Sequence, residues 1–490
     1  MISQQLKILF ACSELTPWIK TGGLADVCGS LPAALKEAGK DVRIVLPGYH
    51  SVVQNIPAPE FIGLIELPLG TVTLCRSELQ GIEVLLVSHE SFTNRPGNPY
   101  MSDADRPWAD NPRRFALFSQ AAVEIAKDRT GLDWQPDIVH CHDWQTGLVP
   151  ALLTLETTRP ATVFTIHNLA YQGNITMAMY HELNLPEELI IQDGLEFWGQ
   201  ASFIKGGIGY ADRINTVSQT YAKEITSKAF GCGMEGLLQH RGDKLSGILN
   251  GVDTQTWNPA TDKHIAKTYS LNSIADKAIN KEDLQKSINL TVDPEAIVFG
   301  LISRLAVQKG IDLIVDAIDK LEGQNFQLAV LGSGDSELQA KLLALKKKHP
   351  TRVAIEIGFN ETLSHKIEAG ADVFLMPSRY EPCGLNQMYS HRYGTLPLVT
   401  RVGGLADTVI GLKDNPDTAN GFVIDSANPV SLYQKLTEAT ELFQSHVKSL
   451  NTTDPSTWRK MQQNAMQANY SWQESALRYC DLYAEIVSVS

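Results

Sequence analysis

Three cations sit close to glycine in settings that suit an anion. Lys20 stands in Lys20-Thr21-Gly22-Gly23, and Arg304 and Lys309 stand in Ser303-Arg304-Leu305-Ala306-Val307-Gln308-Lys309-Gly310. A guanidinium offers a bidentate fork to phosphate oxygens, and an ammonium adds a mobile point charge. Two such cations fixed beside a departing diphosphate stabilise the charge it gains, which is electrophilic catalysis without a metal. A glycine pair lets backbone come close to a ligand, and a helix starting there turns free N–H groups towards an anion. The first loop is neither a Walker A sequence nor GxGxxG. Glu381 lies in Pro377-Ser378-Arg379-Tyr380-Glu381-Pro382-Cys383-Gly384-Leu385. Pro382 biases it to extended geometry, and Gly384 lets the chain turn into a following helix. A carboxylate there can hold sugar hydroxyls and offset positive charge at an anomeric carbon, and it equally suits a helix start.

A second set lies in the first half: His140-Cys141-His142-Asp143-Trp144, then His167-Asn168. The His140 and His142 rings are expected to leave their strand on opposite faces, one of them into the core. No further ligand stands at metal spacing, so no metal is expected. Trp144 and Tyr100 are candidate platforms for sugar rings, whose apolar faces pack on aromatic side chains.

These residues need elements to hold them. Residues 6–11, 42–46, 82–87, 137–141 and 162–166 read as strands, with helices over 31–38, 114–127 and 146–155. The second half repeats the rhythm, with strands over 297–302, 327–331, 353–357, 373–376 and 396–399 and helices over 311–321, 337–348 and 362–369. Buried strands alternating with helices predict an α/β protein of two Rossmann-like, doubly wound parallel sheets. Ligands bind such sheets beyond the carboxyl ends of strands, where the polar motifs fall. The pentapeptide Gly-Gly-Leu-Ala-Asp occurs at 22–26 and again at 403–407, with Lys20 and Arg401 two residues upstream. Two copies predict two glycine loops facing across a cleft. The boundary is expected near residue 245, so that 1–245 is the acceptor-side domain and 246–471 the nucleotide-sugar domain. A last helix over about 472–490 is expected to pack back on the first. The expected hinge lies over Leu249 to Asp253, with its Asn250-Gly251 turn signal, and at the return near Ser471-Trp472.

A net charge of −13 argues against nucleic acid or a membrane surface as partner. Seven cysteines without a CxxC pair fit a reducing compartment, and the short apolar N-terminal run fits neither signal nor membrane segment, so a cytoplasmic location is expected.

Together, KTGGLADVCGSLPAAL, RPGNPY, PDIVHCHDWQTGLVP, TIHNLAYQG, TVSQTYAKEI, LNGVD, SRLAVQKG, PSRYEPCGLNQMYSHRYGTLPLV and GGLADTV resemble the bacterial glycogen synthase and plant starch synthase family, from residue 20 to about 409. The resemblance implies the two-lobed GT-B fold. It also implies transfer of glucose from ADP-glucose to the non-reducing end of an α-1,4-glucan, with retention of configuration and no metal or other cofactor. By the same resemblance Lys20, with Gly22, Gly23 and Asp26, contacts the donor, and Arg304 and Lys309 hold its diphosphate. Glu381 lies by the donor sugar with the backbone of Cys383, Gly384 and Leu385, and Phe359 stacks on the base. His167 lies at the reaction centre, and Tyr100, Asp143, Trp144 and Asn168 lie on the acceptor and sugar side. The chain departs from the family at Asn386 (usually Thr), Gln145 (usually His) and Phe359 (often Tyr). Tyr389 removes the E-x7-E pattern of many other retaining transferases. A transferase with a small acceptor and a non-catalytic glucan-binding protein are the alternatives. A phosphorylated acceptor would want more cations than Arg113-Arg114, and a pure binder would be expected to have lost Lys20, Arg304, Lys309 or Glu381.

Overall fold

The computed structural model describes residues 5–56, 58–102, 106–449 and 456–487. The described chain forms two compact units: residues up to Gly251 together with those from Trp472 make one, and Val252–Ser471 make the other.

The first unit is built on a sheet of β1 (Lys7–Ala11), β2 (Asp41–Pro47), β3 (Glu60–Leu67), β4 (Gly70–Leu79), β5 (Ile82–Ser88), β6 (Ile138–His142), β7 (Ala161–Ile166), β11 (Arg213–Thr216) and β12 (Leu245–Gly247). A separate small sheet holds β8 (Asn174–Thr176), β9 (Glu196–Phe197) and β10 (Gln200–Ser202). The main order is β12-β11-β7-β6-β1-β2-β5-β4-β3. The run from β12 to β5 is parallel, but β3 and β4 pair antiparallel and complete the sheet as a hairpin. The sheet is therefore mixed, not wholly parallel as the helix-separated strands predict. The hairpin escaped because its strands alternate partly exposed positions, with Phe61 and Leu64 more than 60% exposed, the habit of a sheet with one wet face. The helix expected from residue 31 begins at Gly23, so the first glycine pentapeptide is itself the opening turn.

The second unit has β13 (Ile297–Ile302), β14 (Phe326–Gly332), β15 (Val353–Ile357), β16 (Val373–Met376), β17 (Leu396–Thr400) and β18 (Phe422–Ile424), all parallel in the order β15-β14-β13-β16-β17-β18. Apolar layers cover both faces, one through Leu301, Ile314 and Leu375 and the other through Val298, Ile367 and Phe374. Strands buried on both faces read as continuous apolar runs, which is why these boundaries were legible.

The division falls after Gly251 rather than near residue 245, because β12 still pairs with β11 in the first sheet. The final helix, Trp472–Val487, belongs to the first unit, and residues 488–490 of the expected helix lie outside the described residues. Tyr483 Oη is 2.7 Å from His140 Nδ1, and Asn215 Nδ2 donates to Tyr479 Oη at 3.0 Å. Gly251 is needed for this return, since a Cβ there would meet Trp472 Cα at 2.7 Å.

Candidate active site

In the second unit the loops after β13 and β16 meet. Lys309, on a short turn of 3-10 helix (Val307–Lys309), lies 2.5 Å from Glu381 Oε2. Ser378 Oγ donates to the same oxygen at 3.1 Å. The carboxylate side chain is 8% exposed and the lysine side chain 22%, so the pair is shielded yet reachable. Gln308 Nε2 donates to the Tyr380 carbonyl at 3.0 Å, and Arg379 is paired with Asp312, so the two loops are stitched on both sides of Glu381. Arg304 is exposed and donates to Gln308 Oε1 at 3.3 Å. Residues 72 apart in sequence thus become one charged site at the carboxyl ends of two neighbouring strands.

The second glycine pentapeptide supports this loop from behind. A Cβ at Gly403 would stand 1.9 Å from the Glu381 carbonyl oxygen, and one at Gly404 2.2 Å from that of Cys383. Gly404 N–H also donates to the Glu381 carbonyl at 3.2 Å. Arg401 is held by Asp414 and Asp425. The two copies therefore have different packing. At Gly22 an added Cβ meets nothing within 4 Å, which leaves room for a ligand against the backbone. Gly384 has φ +72°, the left-handed region that glycine tolerates, and turns the chain into the helix Asn386–Arg392 through Leu385.

In the first unit the Lys20 loop is organised by Glu14, a residue the sequence reading passed over. Its carboxylate accepts from Thr21 N (2.6 Å), Thr21 Oγ1 (2.6 Å), Gly22 N (3.2 Å) and Tyr100 Oη (2.9 Å). Burial raises its pKa, against these hydrogen bonds. Glu14 follows β1 closely, so the strand-end rule applied to β1 would have found it. Lys20 is paired with Asp26 at 2.7 Å, and its side chain is 53% exposed. Gly23 opens the helix Gly23–Glu37. Tyr100 lies against Phe115 and serves this loop through Glu14, and Trp144 packs edge-on to Phe115.

The histidines correct one expectation. His140 and His142 stand two apart on β6, where side chains repeat on the same face, and their ring centroids are 4.2 Å apart. Both are fully buried. His142 Nδ1 lies 2.9 Å from His167 Nε2, while His140 is bonded to Tyr483 and Thr165. Asp143 accepts from the backbone N–H of His167 (2.7 Å) and Asn168 (3.3 Å) and so shapes the loop after β7. Asp143 holds φ at +56°, a strained backbone conformation that costs about 1–3 kcal/mol and persists only where surroundings impose it.

Burial drives the titration of this cluster. It lowers His167 and His140 to about 3, and raises Asp143 to about 7 against its two backbone hydrogen bonds. His167 is thus neutral at pH 7 and acts there as a hydrogen-bonding group, not as an imidazolium. A histidine depressed from 6.5 to about 3 contributes stability that is present above pH 6.5 and lost as pH falls towards 3. Asp143 works in the opposite sense, its stability lost as pH rises from about 3.8 to 7. Replacing His167 by Asn is therefore expected to make the stability loss between pH 6.5 and 5 shallower, by up to about 1.4 kcal/mol per pH unit. Denaturant titrations of both proteins across that range would check it, and equal slopes would refute it.

Other expected site residues fall as follows. Phe359 stands 88% exposed after Gly358, a bare ring on the second unit. Asn386 donates to the Ile302 carbonyl at 2.9 Å and ties its helix to the end of β13. Gln145 is buried. Tyr389 is buried against Trp257, with centroids 4.1 Å apart. Asn168 Oδ1 accepts from Ala170 N at 3.1 Å. Arg114 is buried over Phe92 and donates to the Pro99 carbonyl, and Arg113 donates to Leu69, so that pair is committed to the fold.

Two Rossmann-like units, with a lysine–glutamate pair at the strand ends of the second and a glycine-lysine loop in the first, define a glycosyltransferase of GT-B type. Residues 7–240 match the model for the starch synthase catalytic domain, and residues 281–448 match that for group 1 glycosyl transferases. The chain is 47% identical to glycogen synthase 1 of Methylococcus capsulatus, over 99% of this chain and 97% of that one. It is 48% identical to the glycogen synthase of Cellvibrio japonicus, over 98% and 99%. The solved catalytic domain of starch synthase IV from Arabidopsis thaliana, bound to ADP and acarbose, superposes with a TM-score of 0.85 at 30% identity, covering 99% of this chain and 100% of that one. The chain belongs to the glycogen and starch synthase family, and it is a glucosyltransferase. Among the described residues no helix is long and apolar enough to cross a membrane.

Proposed function

We propose that this glucosyltransferase uses ADP-glucose as donor and the non-reducing end of an α-1,4-glucan as acceptor, with retention of configuration. The observation that carries the reading is the Lys309–Glu381 pair, braced by Ser378 at the ends of β13 and β16. The starch synthase IV relative holds ADP and acarbose, a nucleotide and an oligosaccharide mimic, which supports the same substrate classes here. Arg304 and Lys309 are assigned to the diphosphate, Phe359 to the base, and Glu381 with the Cys383, Gly384 and Leu385 backbone to the sugar. Lys20, Gly22, Gly23 and Asp26 are assigned to the donor from the first unit. His167, Asn168, Trp144 and Tyr100 belong to the acceptor and sugar side, with Asp143 positioning the His167-Asn168 backbone. The bond from C1 to the diphosphate oxygen breaks, a glucan hydroxyl oxygen bonds C1 from the same face, and its proton passes to the leaving diphosphate. Incubation with labelled ADP-glucose or UDP-glucose plus glycogen tests this: label from ADP-glucose is expected in polymer, and label from UDP-glucose alone would overturn the donor assignment.

No metal is required on this account, because Lys20, Arg304 and Lys309 supply the positive charge. Transfer is expected to survive EDTA. Loss with chelator, restored by magnesium, would refute the cation clamp. A cytoplasmic location is part of the same proposal, and the seven cysteines are all free thiols, as a reducing compartment would keep them.

A further inference from the structure

The helix Glu361–Gly370 follows directly on Phe359 and carries Glu361 and His365 one turn apart, on one face. His264, from the irregular segment after Asp262, comes against them: its ring centroid is 4.7 Å from that of His365. One donor atom from each of His264, Glu361 and His365 lies within 4.8 Å of the other two. Neighbouring groups fix both imidazoles. His365 Nδ1–H donates to Asp262 Oδ2 at 2.7 Å, and the indole of Trp257 stacks on the ring at 4.1 Å and 2°. That leaves His365 Nε2, which is buried and has no hydrogen-bond partner among the described residues. His264 Nδ1 is bonded to Thr362 Oγ1 at 3.1 Å, which leaves its Nε2 to bind. A carboxylate behind one imidazole and a hydroxyl behind the other is the outer arrangement that fixes tautomer and raises ligand basicity.

We propose that His264, Glu361 and His365 bind a borderline divalent transition metal, of which zinc suits two imidazoles and a carboxylate best, with a water as fourth ligand. Tetrahedral zinc at about 2.0–2.2 Å from each donor needs donors roughly 3.3–3.6 Å apart. Exposed Glu361 and half-buried His264 can make that closure while His365 stays where Asp262 and Trp257 hold it. The ion would clip the segment around Asp262 to the first turn of the helix that follows Phe359. The clip would thereby restrain the base-stacking loop without touching Lys309 or Glu381. The proposal does not depend on the transferase reading, since binding is read without turnover.

Cobalt(II) is the probe, added to the full chain after chelator treatment. One equivalent is expected to give visible absorption typical of four- or five-coordinate nitrogen and oxygen ligation, with zinc displacing it and raising Tm. The substitutions His264→Leu and Glu361→Gln should each weaken binding by at least the roughly 10–100-fold that loss of an outer-shell partner costs, and Thr362→Val by about 10-fold. His365→Ala is avoided as the main test because its ring is packed under Trp257, and the three chosen variants alter partly or fully exposed side chains. No stoichiometric binding overturns the proposal. So does a near-ultraviolet thiolate band, or binding that persists in His264→Leu, since either places the metal elsewhere.

Discussion

Glu381→Gln is expected to lower turnover about 10²–10³-fold while ADP affinity stays near that of the parent, the scale of losing one preorganised electrostatic contact. The Glu381 carboxylate accepts from Lys309 and Ser378 through one oxygen, so it is held by two donors rather than bared as a nucleophile. A double displacement would need an attacking carboxylate on the opposite face of the sugar, as in retaining glycosidases with their paired carboxylates. Among the described residues Glu381 is the carboxylate that these two loops bring beside Lys309, and its neighbours favour charge stabilisation. The amide keeps the shape and an acceptor for Lys309 while removing the charge, which separates electrostatics from packing. Wild-type turnover in a mutant that still binds ADP would reduce Glu381 to a loop residue, and a trapped glucosyl ester on it would replace same-face attack with a covalent route.

Gly403→Ala is expected to destabilise the protein by about 2–5 kcal/mol. The new methyl would sit 1.9 Å from the Glu381 carbonyl oxygen, and an L-residue would occupy φ +43°. Overpacking costs roughly 1–3 kcal/mol and the left-handed backbone about 1–2 kcal/mol more. The Glu381 loop must move to admit it, and misplacing a catalytic group by about 1 Å costs on the order of 10² in rate. Gly22→Ala makes the contrast, although it alters the same pentapeptide. Its φ of −160° suits any residue, and nothing lies within 4 Å, so stability should hold to within about 0.5 kcal/mol. Transfer should fall through kcat/KM, because the methyl occupies the space assigned to the donor. Thermal melts and initial rates on both variants would decide it. Equal melting temperatures for Gly403→Ala and the parent would dispose of the packing account.

Where the charged loop residues fall was largely legible in the chain, and so was the second sheet. Strands buried on both faces announce themselves as apolar runs, and Arg304, Lys309 and Glu381 stand immediately beyond them, where backbone rules bring loops together. What these residues do to each other was not legible. Lys309 and Glu381 appeared as a phosphate clamp and a sugar contact, and only folding made them an ion pair, because their strands are neighbours in the sheet but far apart in sequence. The repeated glycine pentapeptide predicts two alike loops, whereas the backbone packed behind Gly403 and the open space at Gly22 give the copies different surroundings. Glu14 and the buried histidine cluster were hidden for a related reason. A hydrogen bond to a loop several residues on, or a burial that drives an imidazole to neutrality, depends on which atoms surround a group in space. Local sequence determined the strands, the turns and the supply of charged groups at their ends. Tertiary structure alone decided their partners, their protonation and which glycine faces open space rather than packed backbone, because those depend on distances that no spacing along the chain encodes.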